Sequence, residues 1–139
     1  MIMPKTLKLN LITPQKQLLA DLEVQSVVLP AFQGELGVLP GHIPMMVQLG
    51  FGSLRYKKDG QEEEFAVLGG FAEILHESVN VFAESAGLAG EIDEEEEKQK
   101  IKRAKESLSK KDADIDFELA EIEIKQALTR MKVKKHRLG

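Results

Sequence analysis

The sequence contains no cysteine and no tryptophan, and Tyr56 is its one tyrosine. Without cysteine the chain can form no disulfide framework and can carry out no thiol chemistry. Aromatic residues make up only 5% of the chain, whereas a carbohydrate-binding surface is built on aromatic platforms. A stand-alone ligand-binding β-sandwich therefore remains an alternative function that the composition disfavours.

Histidine is also scarce, and the three residues His42, His76 and His136 lie far apart in the sequence. No His-x-His pair supplies the usual ligands of a metal enzyme built on a β-sandwich. The serines lack a nucleophile-elbow pattern, and the glycines lie between strands, so no phosphate loop leads from a strand into a helix. The chain is therefore predicted not to be an enzyme and to hold neither metal nor cofactor.

Long apolar runs are missing as well, since none approaches the ~20 residues that a membrane-spanning helix needs. The first residues lack the apolar centre of a signal peptide and the Arg-rich pattern of a transit peptide. A net charge of −4 gives no reason to expect nucleic acid as a partner. We expect a protein that acts at a membrane only if a partner holds it there.

The first part of the chain has the period-two alternation of strands with one buried face. Leu7, Leu9 and Leu11 alternate with polar residues, and Asp59-Gly60 has the composition of a two-residue hairpin turn. A last strand pair is expected to turn near His76-Glu77, and Gly69-Gly70 is expected to form another hairpin-type turn. About ten short strands at close spacing predict an antiparallel β-sandwich over residues 1–87, with a flattened barrel as the alternative.

The pattern becomes helical after a small, glycine-containing segment, residues 85–90, which we interpret as a linker. A cluster of carboxylates after Ile92 suits the positive end of a helix dipole, and Asp114 is the expected N-cap of a second helix near Ile115. The predicted fold is therefore α+β, with an antiparallel two-helix hairpin over residues 88–139. Its apolar stripes are narrow, so the hairpin needs another surface to cover it. In the second helix the expected stripe comprises Phe117, Ala120, Ile124, Ala127, Leu128 and Met131, widened by Leu119 and Ile122.

The most densely punctuated stretch runs from Val27 to Pro44, with prolines and glycines at closely spaced corners. Such a rigid corner is expected to present Phe32, Gln33 and Glu35 on the surface. The sequence from Leu29 to His42, LPAFQGELGVLPGH, resembles a signature of the epsilon subunit of F-type ATP synthases.

Further segments extend this resemblance over nearly the whole chain, in family order. Val67 to Ile74 resembles the second signature of the family, and Ile92-Asp93 resembles its helix-start motif. Residues 114–133 resemble its second helix. The resemblance implies a subunit of the rotor, or central stalk, that links the gamma subunit to the ring of c subunits and inhibits ATP hydrolysis through its C-terminal helices.

Site residues follow from the same resemblance. Phe32, Gln33 and Glu35 match positions that face the polar loops of the c ring, and His42 matches a position where the sandwich meets gamma. The basic second helix is suited to the acidic loops of the beta subunits in the catalytic head of alpha and beta subunits. Its predicted inhibitory charges are Arg130, Lys132, Lys134, Lys135 and Arg137.

A nucleotide site is a further alternative, because some family members are thought to bind ATP at the start of the first helix. Ile92 and Asp93 match that motif, and Arg103 and Arg130 stand where family arginines are expected. Glu96 occupies the place of the motif arginine, and its charge repels phosphate. ATP binding is therefore disfavoured, and the nucleotide sensor stays an alternative to the rotor subunit.

Location follows from these expectations. A rotor subunit without a leader sequence is expected to lie on the cytoplasmic side of a bacterial inner membrane, as a peripheral protein held by the c ring, and a plastid-encoded protein is the alternative. Ion transport across that membrane, of H⁺ or another ion, would belong to its partners.

Overall fold

The computed structural model describes residues 5–110 and 116–138. The described chain forms eight strands followed by a short 3-10 turn, Ala89–Glu91, and two helices. The strands are β1 (Leu7–Ile12), β2 (Gln17–Val24), β3 (Ser26–Ala31), β4 (Gly34–Val38), β5 (Met45–Lys58), β6 (Gln61–Ile74), β7 (Ser78–Ala83) and β8 (Ala86–Leu88). The helices are α1 (Glu94–Ser109) and α2 (Phe117–Leu138).

The strands pair in the order β2-β1-β7-β6-β5-β3-β4, and β8 pairs with β6. All pairs are antiparallel except one, because β1 and β7 run parallel from Lys8↔Ser78 to Ile12↔Phe82. The predicted sandwich class is confirmed, with one parallel pair in a sheet that was expected to be antiparallel. Five strands, β2 to β6, separate β1 from β7 in the sequence, so the chain crosses over before β7 pairs with β1. After this crossover β7 runs in the same direction as β1.

The described strands number eight rather than about ten because two pairs of predicted short strands are continuous. β5 runs through Gly50 and Gly52, and β6 runs through Gly69-Gly70. The hairpin-type turn expected at Gly69-Gly70 was therefore wrong. Both glycines have positive φ, 78° and 112°, and they bend the strand instead of ending it. The residues before the bend pair with β8, and those after it pair with β7.

The other predicted hairpins are confirmed. Lys58 and Gln61 are register partners, and the turn between them is Asp59-Gly60 with φ of 52° and 78°. These are the left-handed conformations that a two-residue hairpin loop requires. The last pair, β6 and β7, turns at the predicted His76-Glu77 region, where the Leu75 amide donates to the Ser78 carbonyl.

The core lies between the inward faces of the strands. Leu7, Leu9 and Leu11 are fully buried, as their alternation predicts, and each such side chain contributes about 1.5–3 kcal/mol by leaving water. Other completely buried side chains come from β2, β3, β5, β6 and β7: Val24, Val27, Leu29, Leu54, Val67, Ile74, Val79 and Val81. The segment expected to be a linker forms β8 and the 3-10 turn.

The two helices form the predicted antiparallel hairpin. Asp93 caps α1 by accepting from the Glu96 amide at 3.2 Å, and Arg130 in the second half of α2 reaches Glu97 in the first turn of α1. The proposed cap Asp114 and the predicted start at Ile115 lie outside the described residues. Asp116 accepts from the Leu119 amide at 3.0 Å, which is the bond of an N-cap.

The buried line of α2 differs from the predicted stripe. Ala120, Ala127 and Val133 are buried, and Ile124 and Met131 are half-buried. Small side chains at the buried positions allow the helices to pack closely. Four residues of the predicted stripe are exposed instead, namely Phe117, Leu119, Ile122 and Leu128.

Candidate functional site: the β3–β4 turn and the docked hairpin

The β3–β4 turn consists of two residues, Phe32 and Gln33, between paired strands. The Phe32 amide donates to the Gln48 carbonyl at 2.8 Å, so the backbone is held while the ring projects outward. The Phe32 side chain is 67% exposed, and Gln33 and Glu35 are exposed as well. The predicted exposure of this corner is confirmed, and its contact with a c ring stays a prediction.

Glu35 forms an ion pair that the sequence did not reveal. Its carboxylate lies 2.7 Å from the Arg55 guanidinium on β5. The hydrogen bond from Arg55 holds the pKa of Glu35 below its ordinary value, and the positive charges of Arg55 and His136 act in the same direction. Glu35 thus remains an anion at neutral pH and is fixed to the sheet through β5.

His42 lies in the next corner, where its Nδ1 is 2.7 Å from the Ile43 carbonyl oxygen. The corner is tied to the far hairpin because the Gly41 amide donates to the His76 carbonyl at 2.9 Å. Beside His42, the side chains of Leu39 and Ile43 are 64% and 73% exposed. The predicted gamma contact therefore lies within an apolar corner.

Sequence reasoning missed an aromatic pair on the outward face of the sheet. Phe71 and Phe82 are register partners of β6 and β7, and their ring centroids lie 5.2 Å apart. Both rings remain substantially exposed. In each strand the period-two alternation places the phenylalanine on the face opposite to the buried side chains. This alternation could have been recognised in the sequence.

The hairpin is docked on the sandwich through a small apolar cluster. Val133 of α2 packs with Ala66 of β6, with Ala89 and with Ile92, and all four are buried. Nearer the start of α2, the Lys125 ammonium lies 4.9 Å from the centre of the Phe51 ring, within the range of a cation–π contact. The cluster is much smaller than the sandwich core.

Polar contacts complete the docking. His136 Nδ1 lies 3.0 Å from each carboxylate oxygen of Glu64, and Ser53 Oγ donates to the same carboxylate at 2.5 Å. Arg137 pairs with Glu63 at 3.4 Å, and the Lys134 ammonium donates to the Ile92 carbonyl. Glu64 is only 4% exposed, so His136 and Ser53 satisfy a buried carboxylate.

The five basic residues predicted to inhibit therefore lie in three different environments. Arg130 contacts Glu97 and Ser85, Lys134 donates to the Ile92 carbonyl, and Arg137 pairs with Glu63 of the sandwich. Lys132 lines a cavity of about 470 Å³ between α2 and the sheet. Lys135 is exposed, and within residues 5–110 and 116–138 no ion pair or hydrogen bond involves its side chain.

The residues predicted for nucleotide binding are partly brought together. Arg103 and Arg130 line one interhelical groove of about 460 Å³ with Lys100. Ile92 and Asp93 serve other purposes, since Ile92 is buried in the apolar cluster and Asp93 caps α1. The buried Glu97 lies 3.2 Å from Lys100 and 3.4 Å from Arg130, so one anion already pairs with two of the cations.

The described ranges contain no group of three or more potential metal ligands. Neither α1 nor the described part of α2 has the length and apolar character that crossing a bilayer requires.

Both parts of the chain match known families. Residues 6–89 match the ATP synthase, Delta/Epsilon chain, beta-sandwich domain, and residues 91–135 match the ATP synthase, Delta/Epsilon chain, long alpha-helix domain.

Curated relatives cover most of the chain. An ATP synthase epsilon chain of Elusimicrobium minutum is 46% identical over 109 residues, which are 78% of this chain and 81% of the relative. One from Bacillus velezensis is 40% identical over 129 residues, which are 93% and 97% of the two chains.

Among solved structures, the fold resembles a chain of the mitochondrial ATP synthase OSCP/F1/c-ring assembly of Euglena gracilis. The TM-score is 0.77 at 23% identity, with 100% of this chain and 85% of that chain covered. A chain of the central stalk/c-ring of Tetrahymena thermophila ATP synthase gives a TM-score of 0.60 at 13% identity, covering 96% and 99%. By its two matched domains and its curated relatives, this chain belongs to the ATP synthase delta/epsilon chain family.

Proposed function

We propose that this protein, as an epsilon-type subunit of the central stalk of an ATP synthase, links the gamma subunit to the c ring and inhibits ATP hydrolysis with its helical hairpin. Its role is regulatory and structural, and the subunit itself is non-catalytic. The sandwich would bind both gamma and the c ring, and the hairpin would undock from the sandwich to reach the alpha and beta subunits of the catalytic head.

The observation that carries this proposal is the small size of the docking contact. One four-residue apolar cluster and a few polar pairs hold α2 on the sheet, whereas the sandwich has an extensive core. A helix pair draws most of its stability from the surface that covers it. A second surface of opposite charge can therefore compete with the sheet for α2, which makes the hairpin a two-state element.

The test is ATP hydrolysis by the purified catalytic head with the full chain, with a chain ending at Gly90, and with neither. The shorter chain keeps β8 and Ala89 against β6. We expect the full chain to bind and slow hydrolysis, and the shorter one to bind without slowing it. If neither version binds, the rotor assignment fails.

The proposed c-ring contact rests on the exposed Phe32 ring beside the Glu35–Arg55 pair. An exposed aromatic side chain on a rigid turn gives contact area at little entropic cost. We expect Phe32→Ala to reduce recovery of the subunit with purified c ring and gamma. Leu119→Ala is the matched control, because Leu119 is a comparably exposed apolar residue on α2; equal recovery of both variants would contradict the contact.

We further infer that the hairpin has little affinity for ATP, because Glu97 already pairs with Lys100 and Arg130 and Glu123 adds a second carboxylate to the lining of the interhelical groove. Titration calorimetry of the full chain should detect no binding below about millimolar ATP, a free energy of about −4 kcal/mol. Tight binding would favour the nucleotide sensor instead.

The proposed location is the cytoplasmic face of a bacterial inner membrane, where the c ring and gamma would hold the subunit as a peripheral protein. Its part in ion transport would then be indirect, through rotation of the stalk.

A further inference from the structure

Four charged or ionisable side chains lie in a line across the sheet, from the β3–β4 turn to the docked helix. Glu35 is on β4, Arg55 on β5, Glu64 on β6 and His136 on α2. Arg55 and Glu64 are direct register partners. All four line the same cavity of about 470 Å³ between α2 and the sheet.

We propose that the Glu35 carboxylate and the docking of α2 are coupled through Arg55 and Glu64. A cationic group of a partner that takes the Glu35 carboxylate would release Arg55 toward Glu64, and Arg55 would then displace His136. Binding at the turn would thereby favour the undocked hairpin. The partner step rests on the proposed function, whereas the coupling itself is a property of this chain.

The first step depends on how Arg55 is held. Its Nη1 is 2.7 Å from Glu35, its Nε is 3.9 Å from Glu62, and its side chain is 21% exposed. The guanidinium thus lies between the carboxylates of Glu35 on β4 and Glu62 on β6, and its shorter contact is with Glu35. When Glu35 is withdrawn, the remaining attraction on Arg55 comes from Glu62 and Glu64 on β6.

The second step depends on the burial of Glu64. Its side chain is 6% exposed, so water cannot replace a lost partner freely. Ser53 already donates to one oxygen, and His136 contacts both. Arg55 and His136 therefore compete for the same carboxylate.

The charge balance of the cavity acts in the same direction. Glu35 and Glu64 face Arg55, Lys132 and His136 there. Loss of the Glu35 charge makes the cavity that Lys132 and His136 of α2 face more positive. The positive charge of His136 also helps to lower the pKa of Glu35, and by reciprocity the ionised Glu35 favours the docked position of His136.

The test measures undocking in the isolated full chain through a single thiol. The chain has no cysteine, so Val133→Cys places one nearly isosteric thiol in the buried docking cluster. When docking and undocking are fast, the rate of thiol modification is proportional to the undocked fraction. In this background we expect Glu35→Gln to raise the rate by about two- to fivefold, the range of one partly exposed ion pair.

Three further variants identify the path. His136→Ala should raise the rate, because it removes the partner of Glu64 on α2. Glu95→Gln is the matched control, since it removes one exposed carboxylate that pairs with Lys98 at 3.5 Å on α1, and it should leave the rate unchanged. A thiol at Leu128, which is 53% exposed in the docked form, should react equally in the parent chain and in Glu35→Gln.

The decisive comparison is Glu35→Gln in an Arg55→Gln chain, where its effect on the Val133→Cys rate should be much smaller than in the chain that keeps Arg55. Equal rates for Glu35→Gln and Glu95→Gln would overturn the coupling, and full additivity with Arg55→Gln would overturn its path. Arg55→Met repeats the comparison if Arg55→Gln fails to fold. The thiol experiment uses the isolated chain, so a negative result would refute the coupling but not inhibition by the hairpin. Absence of inhibition in the catalytic-head assay would in turn refute the proposed function but not the coupling.

Discussion

Gly70 shows at the scale of one residue why a strand of this sandwich can bend. Its φ is +112°, and an added Cβ would lie 2.0 Å from the Phe82 carbonyl oxygen and 3.0 Å from the Ala83 Cα. Both obstacles belong to the backbone of the neighbouring strand, so neither can rotate away. Gly70 is therefore required by the pairing of β6 with β7.

We expect Gly70→Ala to lower the free energy of unfolding by about 3 kcal/mol or more, through backbone strain and the clash with β7. Urea unfolding of the full chain measures this loss. Gly37→Ala is the control, since its φ is not positive and an added Cβ would have no atom of the described residues within 4 Å; it should change stability by less than about 0.5 kcal/mol. Similar losses for both variants would contradict the argument.

Glu35 gives a prediction about acid stability. Because Arg55 lowers the pKa of Glu35 in the folded chain, the ion pair stabilises the fold fully above the ordinary pKa of 4.5, and this contribution is lost as the pH falls through the lowered value. The difference in unfolding free energy between the parent and Glu35→Gln should therefore be constant near neutrality. Urea titrations from about pH 7 to about pH 3 should show it shrinking with acidification, and a difference that grows would refute the pairing.

At the scale of elements, α2 has two different surfaces. Its buried positions are Ala120, Ala127 and Val133, of which Val133 belongs to the docking cluster, while Phe117, Leu119, Ile122 and Leu128 stay exposed. An amphipathic helix with exposed large apolar residues can be covered by a second protein surface. The docked form therefore leaves part of the apolar surface of α2 unused.

We expect Val133→Asp to undock the hairpin, because it places a charge inside the apolar cluster at a cost of several kcal/mol. The helical circular dichroism signal should melt at a lower temperature than the sheet signal, since helix stability depends on packing. Lys135→Asp serves as the control, as it introduces the same side chain at an exposed position two residues away. A single unchanged transition in Val133→Asp would contradict independent undocking.

At the scale of the whole molecule, the basic end of α2 serves the docked form as well as the proposed inhibitory form. Arg137 pairs with Glu63, whereas Lys135 is exposed in the docked chain. Replacing the basic residues one at a time therefore separates two effects that a combined substitution would mix. The first is the loss of charge toward the catalytic head, and the second is the loss of docking.

We expect Lys135→Ala to weaken inhibition of ATP hydrolysis by a few fold, because a charge at an interface edge mainly affects association. In the Val133→Cys background, Lys135→Ala should leave the rate of thiol modification unchanged. Arg137→Ala should raise the thiol rate, and its inhibition should fall less than that of Lys135→Ala because the hairpin is freed. Steady-state hydrolysis by the catalytic head measures both variants. Equal inhibition by Lys135→Ala and the parent chain would remove the electrostatic part of the proposal.

Local features were determined by the sequence itself. The alternation around Leu9, the Asp59-Gly60 turn, the exposed Phe32 corner and the change to helical periodicity all depend on residues close in the chain. Turn chemistry and side-chain period act over a few residues, so they can be recognised without knowing the fold. The resemblance to the family rests on the same local signatures.

Only the tertiary structure decided which distant groups meet. Glycines signal conformational freedom, but whether Gly69-Gly70 ends a strand or bends it depends on β7 and β8. The pairing of Glu35 with Arg55, and of Glu64 with His136 across 72 positions, depends on strand register and on where α2 docks. The sequence shows that a charged side chain needs either a protein partner or water. Which of the two it has depends on its burial, which the fold determines.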